Sequence, residues 1–239
     1  MSQSLEGKVV VIAGGSSGMG LALARRCAEI GARVHILGRS EQKLLEAKHS
    51  MSGDVVVHAI DIGLESDVTA LASKLSRVDH IVTTAAELFF KSFSELSNTE
   101  IESMLSGKFW GPIFLTRHLS PLMSKDGSIT YFSGSAAYKA SAGASIVAAL
   151  NGGLEGFMRT LAIELRPIRV NVLSPGVVDS PVWDFLPPDI RASTLDAIGA
   201  SLPRGRVGTT DELADAALFL IRNGYTTGTV LQVDGGANA

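Results

Sequence analysis

Cysteine occurs once in the 239 residues, at Cys27. A single thiol excludes an intrachain disulfide and any cysteine metal cluster. Long apolar runs are missing as well: nothing approaches the ~18 residues of a membrane span. The start, Met1 to Gly7, lacks the basic-then-apolar order of a signal peptide, so a reducing, cytoplasmic setting is expected. Histidine is sparse, and the five, at 35, 49, 58, 80 and 118, show no i, i+4 pairing on a helix, so no metal site is expected. No G-x-S-x-G elbow exists for a hydrolase. The net charge of −3 gives no electrostatic reason to expect nucleic acid or an anionic membrane as partner.

What remains is an ordinary globule. The chain is 46% hydrophobic and 19% charged, which excludes disorder because too much of it wants a core. Its 25 glycines are scattered and aperiodic, so they need a turn-by-turn explanation. The length suits one large α/β domain, with two small ones as the alternative.

Short β-branched runs alternate with longer amphipathic stretches. Val9-Val10-Val11-Ile12-Ala13 reads as a strand buried on both faces. Residues 19–30 place Leu23, Cys27 and Ile30 on one helical face, which makes Cys27 a small core residue. Further strands are expected at Val34–Leu37, Val55–Ile60, His80–Val82, Ile129–Phe132, Val170–Leu173 and Val230–Val233. Ser40 reads as a helix cap. Ser97 with Glu100 forms a capping box, and Leu96 with Ile101 a staple, opening a long helix from about 99 to 119. A second long helix is expected over Ile146–Leu165. Thr209 with Glu212 opens another, ending near Asn223-Gly224. Strands alternating with helices imply parallel pairing through right-handed crossovers, hence a doubly wound sheet of about seven strands with helices on both faces. The loosest segment, 179–204, carries prolines at 181, 187, 188 and 203 and reads as a lid.

Gly14-Gly15-Ser16-Ser17-Gly18-Met19-Gly20 follows the first strand and opens the first helix. Glycines there permit positive φ and close backbone approach, and the helix N-terminus offers N–H groups to an anion. A plain tight turn is the alternative. The strand–loop–helix context favours phosphate binding. In such folds an acid ending the second strand binds the adenosine ribose of NAD. Here Gly38 stands at that position, followed by Arg39, which could pair a 2′-phosphate bidentately or be a solvated surface charge.

The G-x-x-x-G-x-G spacing resembles the short-chain dehydrogenase/reductase family, and the resemblance runs along almost the whole chain, 1–239. It implies one Rossmann-type domain. It also implies cofactor contacts from Gly14, Ser16, Ser17, Gly18, Met19 and Gly20, and from Arg39 and Ser40, an arginine that accompanies NADP preference. Asp61 and Ile62 match the adenine-contacting acid and its neighbour. Ala85 and Ala86 end the changed N-N-A-G stretch, here Thr83-Thr84-Ala85-Ala86. Pro175 and Gly176 match the segment beside the nicotinamide, with Val178 following, and Ser180 stands at the carboxamide-binding threonine. Gly205-Arg206-Val207-Gly208 and Val233-Asp234-Gly235-Gly236 match the C-terminal pattern. The cofactor expected is NADP(H).

The family's catalytic serine, tyrosine and lysine are where the resemblance breaks. With the long helix aligned on Leu161-Ala162-Ile163-Glu164-Leu165, Val147 stands at the tyrosine and Asn151 at the lysine. The best gapless match puts Gly134 at the serine, flanked by Ser133 and Ser135. Lys108 stands where the family has its relay asparagine, so lysine and asparagine look exchanged between facing helices. A surface lysine and a packing amide are the alternative reading. Lys108, Ser133 and Asn151 are the candidate catalytic residues, with Tyr138 a further candidate if its loop swings inward.

Three functions fit. The first is an NADP(H)-dependent reductase of unusual site, acting on a small, apolar carbonyl, enone or imine compound. Trp183, Phe185 and Leu186 in the lid suggest that apolarity. The second is a non-catalytic NADP-binding sensor or partner subunit, the third a non-redox enzyme on the same scaffold. The resemblance also implies a homodimer or homotetramer through the two long helices, with Ala148, Ala149, Gly152, Gly153 and Gly156 permitting close approach.

Overall fold

The computed structural model describes residues 4–239; Met1, Ser2 and Gln3, part of the stretch read for a signal peptide, lie outside the described residues. The chain alternates strands and helices throughout. β1 (Val9–Ala13), α1 (Gly18–Glu29), β2 (Arg33–Gly38), α2 (Glu41–His49), β3 (Asp54–Ala59) and α3 (Glu65–Ala72) make the first half, closed by β4 (Val78–Thr83). The second half holds α4 (Asn98–Leu105), α5 (Gly111–Leu119), β5 (Met123–Phe132), α6 (Ser145–Glu164) and β6 (Arg169–Pro175). It ends with β7 (Val178–Asp179), α7 (Pro188–Ala200), β8 (Gly208–Thr209), α8 (Thr210–Arg222) and β9 (Val230–Val233).

Seven strands form one parallel sheet in the order β3-β2-β1-β4-β5-β6-β9, while β7 and β8 pair apart from it. Strands covered on both faces can be apolar at every position, which is why Val10 through Ala13 are fully buried in an unbroken run. One core lies between the sheet and α1, α2 and α8, and gathers Val10, Ile12, Leu23, Ile36 and Leu220. The other lies beneath α3, α5 and α6 and gathers Val11, Leu37, Ile81, Leu115 and Tyr131. Cys27 is fully buried in the first, and desolvation pushes its thiol up to about 12, so it packs and does not react.

Both capping boxes form: Ser97 and Glu100 exchange bonds at α4, and Thr209 and Glu212 at α8. The helix expected over 99–119 is interrupted. Residues Ser106–Trp110 form a π turn between α4 and α5, with the Gly111 N–H reaching back to the Ser106 carbonyl. Pro112 favours it, since it has no N–H to give the carbonyl of Lys108 and so cannot extend a regular helix through that turn. The segment 179–204 is not irregular throughout. Pro187 and Pro188 open the thirteen-residue helix α7, Pro188 at its first position, where a missing N–H costs nothing. No helix among the described residues is long and apolar enough to cross a membrane.

Candidate functional site

Parallel strands end on the same edge of a sheet, so the loops that follow them meet there. The chain winds outward from β1 to β3 and then returns to β4 on the other side of β1, leaving a crevice at the switch between β1 and β4. The glycine loop sits over it. Thr84 Oγ1 donates to the Ala13 carbonyl at 3.0 Å, and the Thr84 and Ala85 N–H groups reach the same oxygen. This brings the loop so near that a Cβ on Gly14 would lie 2.7 Å from Ala85 N, and one on Gly20 2.2 Å from the Gly14 carbonyl oxygen. Both positions therefore require glycine.

Gly18 has φ +54°, and a Cβ there would face only Pro181 and Ser180, at 3.6 and 3.9 Å. A narrow gap thus separates the loop from the segment after β6. Ser17, the N-cap of α1, makes no side-chain cap bond, so the helix's first N–H groups gain no partner from it. Ser16 and Met19 are half-buried on either side of it, and Ser17 is exposed.

The other expected cofactor residues line the same edge. Arg39 and Ser40 follow β2; Ser40 Oγ caps α2 by accepting from Lys43 N at 3.3 Å, and Arg39 pairs with Glu87 Oε2 at 3.1 Å. Asp61 folds back on Gly63 N at 2.9 Å. Ile62 points into the core beneath Gly111, where a Cβ would meet its Cδ1 at 2.6 Å. Ala85 and Ala86 follow β4. Pro175 ends β6, and Gly176 lets the chain pass Asp234, whose Cα would lie 2.7 Å from a Cβ there. Val178 belongs to β7, and Ser180 is buried beside it.

The candidate catalytic residues converge on the turn after β5. Lys108 projects from the π turn and is buried; its Nζ donates to the carbonyls of Phe132 and Ser133 at 3.2 and 3.3 Å. Asn151 on α6 donates from Nδ2 to the next carbonyl, that of Gly134, at 3.3 Å. Three consecutive carbonyls are thus held from two facing helices. No carboxylate bonds to Lys108, and burial lowers its pKa from 10.5 to about 8. Asn151 Oδ1 is buried without a partner.

Ser133 turns the other way. Its Oγ donates to Glu155 Oε1 at 3.0 Å, and the Tyr138 hydroxyl donates to Oε2 at 2.5 Å. Tyr138 is pushed up to about 12, by desolvation and then by Glu155, so its proton is held firmly. Val147 faces neither group. It packs with Met104 and Leu150, against Leu88 and Phe89, in a closed apolar cluster.

Glu155 and Glu87 are the polar groups that sequence reasoning passed over. Glu155 carried a signal: it interrupts the apolar stripe Val147, Leu150, Leu154, Met158 of α6, a costly place for an unpaired acid. Glu87 carried none, because its partner depends on strand order.

Residues 13–238 match the family described as enoyl-(acyl carrier protein) reductase. Similar proteins include the short-chain dehydrogenase/reductase malC of Malbranchea aurantiaca, 32% identical over 97% of this chain and 95% of that one. The 3-oxoacyl-[acyl-carrier-protein] reductase of Bos taurus is 33% identical over 96% of this chain and 97% of its own. Among solved structures, the MalC reductase/Diels-Alderase superposes with a TM-score of 0.90 at 32% identity, covering 97% of this chain and 96% of that one. A small-chain dehydrogenase in complex with NADPH superposes at 0.81 with 31% identity, over 97% and 98% of the two chains. With the sheet order, the glycine loop and these matches along nearly its whole length, the chain belongs to the short-chain dehydrogenase/reductase family.

Proposed function

We propose that this protein is an NADP(H)-dependent reductase in which Lys108, not a tyrosine, holds the proton for the reaction, and that its substrate is a small apolar carbonyl, enone or imine compound. The observation that carries this reading is the buried Lys108 ammonium at the end of β5, with no carboxylate bonded to it and its pKa lowered to about 8. A general acid works best with a pKa near the working pH. Two of its three N–H groups go to carbonyls, which leaves one to offer a substrate oxygen or nitrogen. Ser133 is the weaker candidate, since its hydroxyl proton is committed to Glu155.

The residues present suit the dinucleotide. The tight glycine loop and the uncapped start of α1 fit a pyrophosphate, and Arg39 fits a 2′-phosphate. The unpartnered Asn151 Oδ1 fits a ribose hydroxyl. Ser180 and Pro175-Gly176 would face the nicotinamide. When bound, that group supplies hydride; the protein supplies position, an apolar wall and the proton. Support also comes from the NADPH complex of the structural relative and from the NADPH-dependent aldehyde reductase 1 of Arabidopsis thaliana, 31% identical over 99% of this chain.

On this reading Val147 and Asn151 replace the family's tyrosine and lysine, and 179–204 closes over the substrate. Trp183 anchors that segment by donating from Nε1 to the Val178 carbonyl at 3.1 Å, while Phe185 stays exposed as apolar contact surface. The protein would work in the cytoplasm as a homodimer or homotetramer. The exposed face of α6 at Ala149, Gly152 and Gly156, where a Cβ on either glycine would meet nothing, is open enough for a second helix. Gly153 does not belong to that face, because it packs on Phe109.

The test is a binding titration with NADPH followed by loss of its absorbance across a panel of ketones, enones and imines. Turnover that Lys108→Met abolishes while NADPH still binds supports the reading. Turnover that survives Lys108→Met refutes it. A second reading, a non-catalytic NADP-binding sensor or partner subunit, is favoured by the closed packing of Val147 and the locked Tyr138 hydroxyl. It predicts tight NADPH binding with no turnover on any member of the panel.

A further inference from the structure

Arg39 follows the end of β2 and Glu87 lies four residues past the end of β4, and these two strands flank β1. Their ion pair therefore reaches across the carboxyl end of β1, over the crevice that the glycine loop borders. The contact is single, Nη1 to Oε2 at 3.1 Å, and both side chains are substantially exposed, 66% and 42%. The carboxylate is nonetheless held in place, since the same Oε2 accepts from Ser103 Oγ of α4 at 3.2 Å. A fixed carboxylate aimed at Arg39 is unexpected on a loop whose task is to receive an anionic dinucleotide.

We propose that Glu87 is the exchange partner of the cofactor's 2′-phosphate at Arg39, a specificity-determining residue that tempers NADP(H) affinity. This rests on the reading that Arg39 binds that phosphate. In the free protein Glu87 occupies the guanidinium. A phosphate monoester carries close to two charges at neutral pH and takes a guanidinium bidentately, so it displaces a singly bonded, exposed carboxylate. The neutral 2′-hydroxyl of NAD(H) cannot do so. Glu87 thus penalises NADP(H) more than NAD(H), keeps Arg39 paired in both states, and favours release of the spent cofactor.

A double-mutant cycle on the full chain tests this, with Glu87→Gln, Arg39→Ala and both together, titrated with NADPH and with NADH by calorimetry. Glu87→Gln is expected to tighten NADPH about two- to fivefold, the range for an exposed pair, and NADH by less. In the Arg39→Ala background most of that gain should vanish. If Arg39→Ala leaves NADPH binding unchanged, the reading of Arg39 fails. If Arg39→Ala weakens NADPH while Glu87→Gln does not tighten it, the reading of Arg39 stands and the exchange is refuted. A Glu87→Gln gain of equal size with and without Arg39 also refutes it. Since both side chains are exposed, thermal unfolding of each variant should match the parent, which separates these outcomes from misfolding.

Discussion

Lys108→Met isolates the charge at the centre of the site. Lys108 loses its water on folding and receives two carbonyl bonds, without a carboxylate, in return. Burial takes its pKa from 10.5 to about 8. At ~1.4 kcal/mol per unit, folding at neutral pH works against roughly 3 kcal/mol of charge desolvation. Methionine removes that term but strips the Phe132 and Ser133 carbonyls of their donor, at ~1–3 kcal/mol for each oxygen left dry. The opposing terms are of similar size, so stability at one pH decides little. Its pH dependence decides more.

The folded value lies below the unfolded one, so between about 8 and 10.5 the unfolded chain binds more protons than the folded chain. Stability of the parent must then rise with pH relative to Lys108→Met, by roughly 2–3 kcal/mol on reaching the upper end of that window. Urea unfolding of both proteins from about pH 7 to pH 10 measures the difference, and all other titrations cancel in it. A difference that stays flat across the window would show that Lys108 keeps its charge at no cost. The case for it as a near-neutral acid would then be lost.

Arg39→Ala should weaken NADPH by about 1.5–3 kcal/mol, the range for bonds to charged groups, and hardly change NADH; equal titration curves for both cofactors in the parent would count against this. Glu155→Ala leaves the hydroxyls of Ser133 and Tyr138 without their acceptor and should cost on the order of 2–4 kcal/mol in urea unfolding, with Glu155→Gln losing less because it keeps one accepting oxygen. Light scattering at micromolar concentration should give a multiple of 25.1 kDa, and a lone monomer would remove α6 as a self-pairing surface.

The fold was legible where one physical constraint writes an unambiguous pattern. Strands covered on both faces can be apolar throughout, and Val9–Ala13 stands where its run predicts; Val230–Val233, at the sheet edge with Gln232 exposed, was legible from its β-branched ends. The capping boxes at Ser97 and Thr209 mark their helices because few other uses of that spacing exist. Prolines misled. Four of them between 179 and 204 marked the loosest segment, yet Pro188 is the first residue of the helix α7, and the same residue type breaks a helix or begins one according to which N–H it lacks. The glycine loop was legible as a loop, but the need for Gly14 comes from Thr84 and Ala85, seventy and more positions away, while that for Gly20 comes from the Gly14 carbonyl and from Thr84. The Arg39–Glu87 pair is of the same kind: it exists only once β1 lies between β2 and β4.

The contacts of the glycine loop and of the turn after β5 give a physical reason for the proposed exchange of Lys108 and Asn151. The glycine loop is fixed by backbone contacts at Gly14, Gly20, Thr84 and Ala85, and few substitutions can replace a backbone approach of that kind. The turn after β5 is held differently, by side chains that cross to its carbonyls. A carbonyl accepts from an ammonium or an amide alike, so Lys108 and Asn151 can share that task between two helices. The glycine at 134 leaves room for the exchange, because a Cβ there would come within 3.0 Å of Asn151 Nδ2. The π turn at Ser106–Trp110 lies where Lys108 leaves the helix, and Pro112, which has no N–H for the Lys108 carbonyl, favours it. A regular α-helix through that turn would change the direction in which Lys108 leaves it. The proline, one turn along from Lys108, thus helps to set where that ammonium stands.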